Sequence, residues 1–181
     1  VLTISEDGPL RSIDPLANDT DAEGDPLKLA SLGGVADGSV AINGDGSLTF
    51  IPDANWNGTT SFDYTVSDGN GGVDTGTVFV TVTPENDPPL VNEDYAWTAE
   101  DTPVVVDLLG DDADVEGDTL TIAALGTPTY GSTVVDNGDG TVTYTPAADF
   151  FGTESFSYTV SDGNGGTRSS QATVTVAAVN D

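Results

Sequence analysis

The chain has 181 residues, with 31 Asp and Glu against 3 Lys and Arg, no His, and a formal charge of −28. That balance excludes nucleic acid and anionic membrane as natural partners, because a surface this negative repels polyanions. Cys and Met are also absent, so the fold must rest on packed cores without disulfides. With neither His nor Cys there is no nucleophile–base pair to build, and an enzyme is not expected.

Leu2-Thr3-Ile4 opens the chain as a strand. Asn43-Gly44-Asp45-Gly46 reads as a hairpin turn, Phe62-x-Tyr64 as a half-buried strand, and Ser67-Asp68-Gly69-Asn70-Gly71-Gly72 as a Gly-rich hairpin loop. Val78-Phe79-Val80-Thr81-Val82 closes this first pattern, and Pro84-Glu85-Asn86-Asp87-Pro88-Pro89 follows as a short, extended linker. Residues 95–99 and 104–107 read as one strand split by Asp101-Thr102-Pro103, with further strands at 119–123 and 132–136. Asn137-Gly138-Asp139-Gly140 is a turn leading into Thr141-Val142-Thr143-Tyr144. Residues 154–160 alternate strictly, with Phe156, Tyr158 and Val160 on one face and Ser155, Ser157 and Thr159 on the other. Ser161 to Gly166 is again a Gly-rich loop, and Ala172-x-Val174-x-Val176 is the last strand.

The string S-D-G-N-G-G recurs after 161 − 67 = 94 residues, and N-G-D-G, F-x-Y and the pairs Asn86-Asp87 and Asn180-Asp181 recur at the same spacing. A period of that length, filled with strand pattern, means one domain copied in tandem. The expected fold is all-β: two tandem, seven-stranded Greek-key immunoglobulin-like sandwiches, at residues 1–86 (truncated at its start) and 87–181. The chain is expected to be a piece of a longer array; no apolar run reaches transmembrane length and no signal peptide is recognisable. Trp56, Phe62 and Tyr64, with their counterparts Phe150, Phe156 and Tyr158, are expected in the cores. Tyr95, Trp97, Tyr130 and Phe151 are the candidates for exposed aromatics.

The acid residues are patterned. Asp112-x-Asp114-x-Glu116-Gly117-Asp118 repeats Asp19-x-Asp21-x-Glu23-Gly24-Asp25. Alternate carboxylates ending in a Gly turn aim several oxygens at one point, as a hard cation such as calcium requires. The spacing matches the front half of an EF-hand loop, but Ala123 and Ala30 stand where its twelfth-position Glu belongs. The site must therefore be completed from elsewhere in the fold: Asn86-Asp87, Asp162, and Glu6 or Glu100 are the candidates.

Four segments together resemble the cadherin fold family, and more closely the tandem cadherin-like repeats of large bacterial surface adhesins of the RTX type. They are Glu100-Asp101-Thr102-Pro103, the run from Asp112 to Asp118, the run from Gly152 to Gly163, and Asn86-Asp87-Pro88-Pro89. The resemblance covers the whole chain and implies calcium held at domain junctions. The central junction would use Glu6, Asn86, Asp87, Asp112, Asp114 and Asp162. Asp19, Asp21 and Asp68 would serve a junction before this segment; Glu100, Asn180 and Asp181 would serve one after it. The family's second acidic motif is missing: Asn57-Gly58-Thr59 and Phe151-Gly152-Thr153 occupy its place, and Pro84 and Ala178 replace an Asp near the linker. Fewer than three ions per junction are expected, with Glu85, Glu93 or Asp94 as substitute ligands.

The resulting expectation is a secreted, cell-surface extender: monomeric repeats, partnered by their neighbours in the chain, that calcium stiffens to project a distal binding domain. The alternative is a carbohydrate-binding or homophilic adhesion module, whose partner would be a glycan or a cell-surface ligand.

Overall fold

The computed structural model describes residues 1–9 and 11–180. It folds as two units, Val1–Glu85 and Asn86–Asp181. The first contains β1 (Leu2–Ser5), β2 (Ser12–Ile13), β3 (Lys28–Leu32), β4 (Gly38–Ile42), β5 (Leu48–Pro52), β6 (Gly58–Ser67) and β7 (Val73–Thr83). The second contains β8 (Asp94–Ala99), β9 (Val104–Asp107), β10 (Thr121–Leu125), β11 (Thr133–Asp136), β12 (Thr141–Thr145), β13 (Gly152–Ser161) and β14 (Thr167–Ala177). Each unit is a pair of sheets with the same order: β1-β7-β6-β3 with β2-β5-β4, and β8-β14-β13-β10 with β9-β12-β11. All elements among the described residues are strands, and no helix there is long and apolar enough to cross a membrane.

The split first strand is the device that joins the two sheets. β8 pairs parallel with β14, whereas β9 pairs antiparallel with β12 in the opposite sheet. Between them Asp101 takes φ 58° and Pro103 has no N–H for a ladder, so pairing must break there. The expected second strand, 119–123, sits two residues later as β10: pairing begins at Thr121↔Ser161, and a bulge between Ile122 and Ala124 lets the strand run on to Leu125. The first unit carries the matching bulge between Leu29 and Ser31.

The long hairpins β6–β7 and β13–β14 bring the period-2 pattern to bear on the core. Phe156, Tyr158, Val160, Ala172, Val174 and Val176 bury against Val106, Leu108, Val142 and Tyr144. Phe62, Val80 and Val82 do the same against Ile4, Leu48 and Phe50, with Trp56 packed partly buried beside them. Each buried Val, Leu, Ile or Phe among them contributes roughly 1.5–3 kcal/mol by leaving water.

The antiparallel hairpin also gives each unit two distinct ends. The head end holds the S-D-G-N-G-G loop and the start of β3 or β10, since Ser67 faces Val73 and Lys28, and Ser161 faces Thr167 and Thr121. The tail end holds the finish of β7 or β14, beside the finish of β1 or β8.

Candidate metal centre

The head end of the second unit gathers Asn86, Asp87, Asp112, Asp114 and Asp162. Asp162, only 4% exposed, follows β13, and its Oδ1 accepts from Asn164 N (2.8 Å) and Gly166 N (3.0 Å). Its Oδ2 accepts from Asn86 Nδ2 at 2.7 Å, which ties the linker to the loop. The Asn86 amide is the chief reason the Asp162 carboxyl lies below its ordinary range, with the loop amides adding to it against burial. Asn164 Nδ2 reaches Asp118 Oδ2 at 2.6 Å, joining that loop to the acidic run.

Within the run, Asp114 Oδ1 accepts from Glu116 N (3.0 Å) and Asp118 N (3.1 Å), so the side chain fixes the turn that Gly117 closes at φ 80°. Asp112 Oδ1 accepts from Asn92 N at 2.9 Å. The second oxygens of both, Asp112 Oδ2 and Asp114 Oδ2, are buried, and no hydrogen-bond donor among the described residues reaches them. Buried carboxylate oxygens without donors are costly unless a cation meets them. Carboxylate oxygens of Asp114, Glu116 and Asp118 lie within 4.8 Å of one another, and at an effective dielectric near 20 each like-charge pair opposes the fold by roughly 3 kcal/mol before solvent screening. Asp87 N donates to Glu116 Oε2 at 3.3 Å, bringing the linker to the same cluster.

The electrostatics show the same crowding. Burial first, then Asp111 and Asp107, push the Asp112 carboxyl above its ordinary range, against the pull of Asn92 N. Burial pushes Asp94 up to about 6; the Tyr158 hydroxyl opposes this, while Asp111, Asp112 and Asp107 add to it. A carboxyl raised in the folded state stabilises the fold below its unfolded value and loses that contribution as pH rises through about 6. Near neutrality the head end is therefore short of positive charge.

The remaining expected ligands fall at three other ends. Asp19, Asp21 and Asp68 line one cleft at the head end of the first unit. Asp21 Oδ1 repeats the Asp114 turn through Glu23 N and Asp25 N, and Asn70 Nδ2 repeats the loop tie to Asp25 Oδ2 at 2.8 Å. Asp19 differs from Asp112, because its Oδ2 accepts the Tyr64 hydroxyl at 2.8 Å. The matching hydroxyl of Tyr158 goes instead to Asp94 Oδ2 (2.6 Å) and Asn92 O (2.8 Å). Glu6 lies at the tail end of the first unit, where its Oε1 accepts from Glu85 N at 2.7 Å and its Oε2 is buried without a hydrogen-bond partner among the described residues. Glu100 lies at the tail end of the second, where Oε1 accepts from Val179 N. Asn180 is exposed there, and Asp181 lies outside the described residues.

Of the substitute ligands, Glu85 accepts from the Ser5 hydroxyl, Glu93 from Tyr95 and Asp94 from Tyr158. Glu116 and Asp118 were not among the expected ligands, yet the structure sets them beside Asp114. Their signal was the acidic run itself, whose last two carboxylates continue the alternation past Asp114.

Gly166 makes the close packing possible. A Cβ there would fall 2.1 Å from Asp162 Oδ2 and 2.9 Å from Pro88 Cα, whereas at Gly72 it would meet only Asp68 within 3.5 Å, at 2.3 Å from Oδ2. Gly166→Ala is therefore expected to cost the second unit about 1–3 kcal/mol by overpacking against the linker backbone. Gly72→Ala should cost less, since a side chain can move aside. Thermal unfolding of the two variants compares them directly, and equal losses would contradict the assignment of the linker as the rigid wall.

Comparison with known proteins follows the same division. The profile of the cadherin-like domain matches residues 85–177 and that of a bacterial Ig domain matches residues 1–81. No curated protein matches. Among solved structures, human mucin-like protocadherin EC1-2 is 20% identical over 98% of this chain and 95% of that one, with TM-score 0.52. Mouse cadherin-23 EC22-24 is 17% identical over 98% and 62%, with TM-score 0.55. These likenesses show the fold. An endo-fucoidan hydrolase of glycoside hydrolase family 107 also matches, at 22% identity and TM-score 0.41, over 87% of this chain; the match spans about a quarter of that protein, 24%.

Proposed function

The chain belongs to the cadherin-like domain family, and from that premise we propose that its units are calcium-rigidified extender repeats of a secreted or cell-surface bacterial adhesin. Domains of these two kinds are typical of extracellular and surface proteins. The observation that carries the reading is the pair of buried, donorless oxygens Asp112 Oδ2 and Asp114 Oδ2 beside the Glu116–Asp118 carboxylates. Oxygen-only donors from several carboxylates, with an Asn carbonyl from Asn86 available, suit a hard divalent cation.

When bound, calcium supplies the positive charge that the head end lacks. The residues do the rest. Asp112, Asp114 and Asp162 offer oxygens already aimed by their amide partners, so little ordering is needed on binding. Asn86 and Asp87 are covalently next to Glu85, whose backbone N–H is held by Glu6. A cation shared by Asp87, Asp112 and Asp114 would restrain the linker where it enters the second unit. Asp19, Asp21 and Asp68, and Glu100, Asn180 and Asp181, would repeat that arrangement with neighbouring repeats.

Calorimetric titration of the chain with calcium tests the reading. A dissociation constant of about 10⁻⁴–10⁻³ M is expected, as for extracellular modules. Absence of calcium-dependent heat up to tens of millimolar, with no shift in unfolding temperature, would overturn it.

A further inference from the structure

A second feature of the chain is independent of its acidic ends. In the sheet β8-β14-β13-β10 of the second unit, Tyr95 and Trp97 stand on the outward face of edge strand β8, 61% and 72% exposed. They are two residues apart, so their rings project side by side about 6–7 Å apart along the strand. The strand register continues each ring into a row of hydroxyls: Tyr95–Thr173–Ser155 and Trp97–Thr175–Thr153. No outward position of these four strands carries a charge, although the chain as a whole stands at −28. At the rim, Glu93 Oε2 holds the Tyr95 hydroxyl at 2.7 Å.

The first unit has no paired rings on this face; its exposed ring, Phe79, stands at the position of Thr173. Val1 and Thr3 occupy the positions of Tyr95 and Trp97, and Asp63 is exposed on β6. The platform is therefore a property of the second unit and not of the shared fold. Large exposed rings on an otherwise polar surface mark an interaction site. A protein partner of ordinary affinity would need a broader apolar centre than two rings.

We infer that this face binds a neutral polysaccharide, with pyranose rings laid over Trp97 and Tyr95 and their hydroxyls meeting the threonine and serine rows. A sugar ring offers an apolar C–H face for stacking and a hydroxyl edge for hydrogen bonding, which is the alternation the face presents. The chain's negative field turns away anionic polymers, and the uncharged face has no penalty for a neutral one. The stacking rings and hydroxyl rows contain no carboxylate, so binding is expected not to require calcium; Glu93 touches the platform only through the Tyr95 hydroxyl.

Affinity electrophoresis of the 181-residue chain through gels containing laminarin, xylan, glucomannan or hydroxyethylcellulose tests this, with alginate as the anionic control. Retardation by at least one neutral polymer is expected, unchanged in chelator, and absent with alginate. Trp97→Ala and Tyr95→Ala should each weaken it at least tenfold while leaving the unfolding temperature as in the wild type, since both rings are exposed. Equal retardation of wild type and Trp97→Ala, or none by any neutral polymer, overturns the inference. So does a concentration-dependent dimer in sedimentation velocity that Trp97→Ala abolishes, which would assign the face to a second copy of the chain.

Discussion

Glu154→Ala is expected to destabilise the second unit by about 2–4 kcal/mol, and to leave the first unit as it was. Glu154 is 4% exposed. Its Oε1 accepts from the Ser132 and Tyr144 hydroxyls and its Oε2 from Tyr130 N at 3.0 Å. Ser132 Oγ in turn accepts from Ala147 N at 3.1 Å, so the carboxylate anchors two loops and a strand at once. Alanine would strip three donors of their acceptor in a buried place. At the equivalent positions of the first unit stand Gly38, Phe50 and Thr60, an apolar substitute that needs no such acceptor.

The same carboxyl gives the second unit its own acid sensitivity. Burial pushes it up, but the bonds from Ser132, Tyr144 and Tyr130 outweigh that and hold it below the ordinary carboxylate range. A carboxyl lowered in the folded state contributes stability above its unfolded value, which is lost as pH falls below about 4. Hydrogen exchange resolves the two units. Amides of Gly152–Ser161 should open faster in Glu154→Ala while those of Gly58–Ser67 do not change, and Glu154→Gln should flatten the acid limb. Wild-type exchange across Gly152–Ser161 in the alanine variant would contradict the account.

Asp114→Asn should weaken calcium binding at least tenfold and, in chelator, hold or raise the stability of the second unit. The two signs separate a ligand from a structural residue. Asparagine keeps an oxygen for Glu116 N and Asp118 N, so the turn survives. It removes one charge from a cluster whose oxygens lie within 4.8 Å, which relieves repulsion when no cation is present. It also removes an anionic oxygen that calcium would use. Wild-type protein at a hundredfold excess of calcium over its dissociation constant should gain about 2.7 kcal/mol by mass action; Asp114→Asn should gain far less. Asp112→Asn should behave likewise, as its oxygen can still accept from Asn92 N. An unchanged titration in both variants would contradict the site.

The sandwich was legible because its strongest strands obey period 2 without exception: Phe156, Tyr158 and Val160 point inward where alternation puts them. The same parity places Glu154 inward, and the sequence alone could not say that Ser132 and Tyr144 would meet it, since that depends on register between β12 and the β10–β11 loop. β10 lies two residues later than the expected strand because its pairing begins only at Thr121, and a bulge between Ile122 and Ala124 carries it on to Leu125, a feature that no residue type marks in Thr121-Ile122-Ala123-Ala124. The acidic run was visible as a cation motif, but the choice among its carboxylates was not. Asp114 serves as both turn former and free oxygen, and only the fold sets Glu116 and Asp118 beside it. Asp19 shows the limit of copying roles across the duplication, for its oxygen is taken by Tyr64 where Asp112 has Asn92.

Small-angle X-ray scattering of the chain, in millimolar calcium and again in chelator, tests the extender reading most directly. Restraint of the linker by calcium predicts a longer maximum dimension and a narrower distance distribution with the ion, and loss of both in Asp114→Asn. Superimposable curves in the two conditions would contradict it, and would leave the acidic ends as solvated surface.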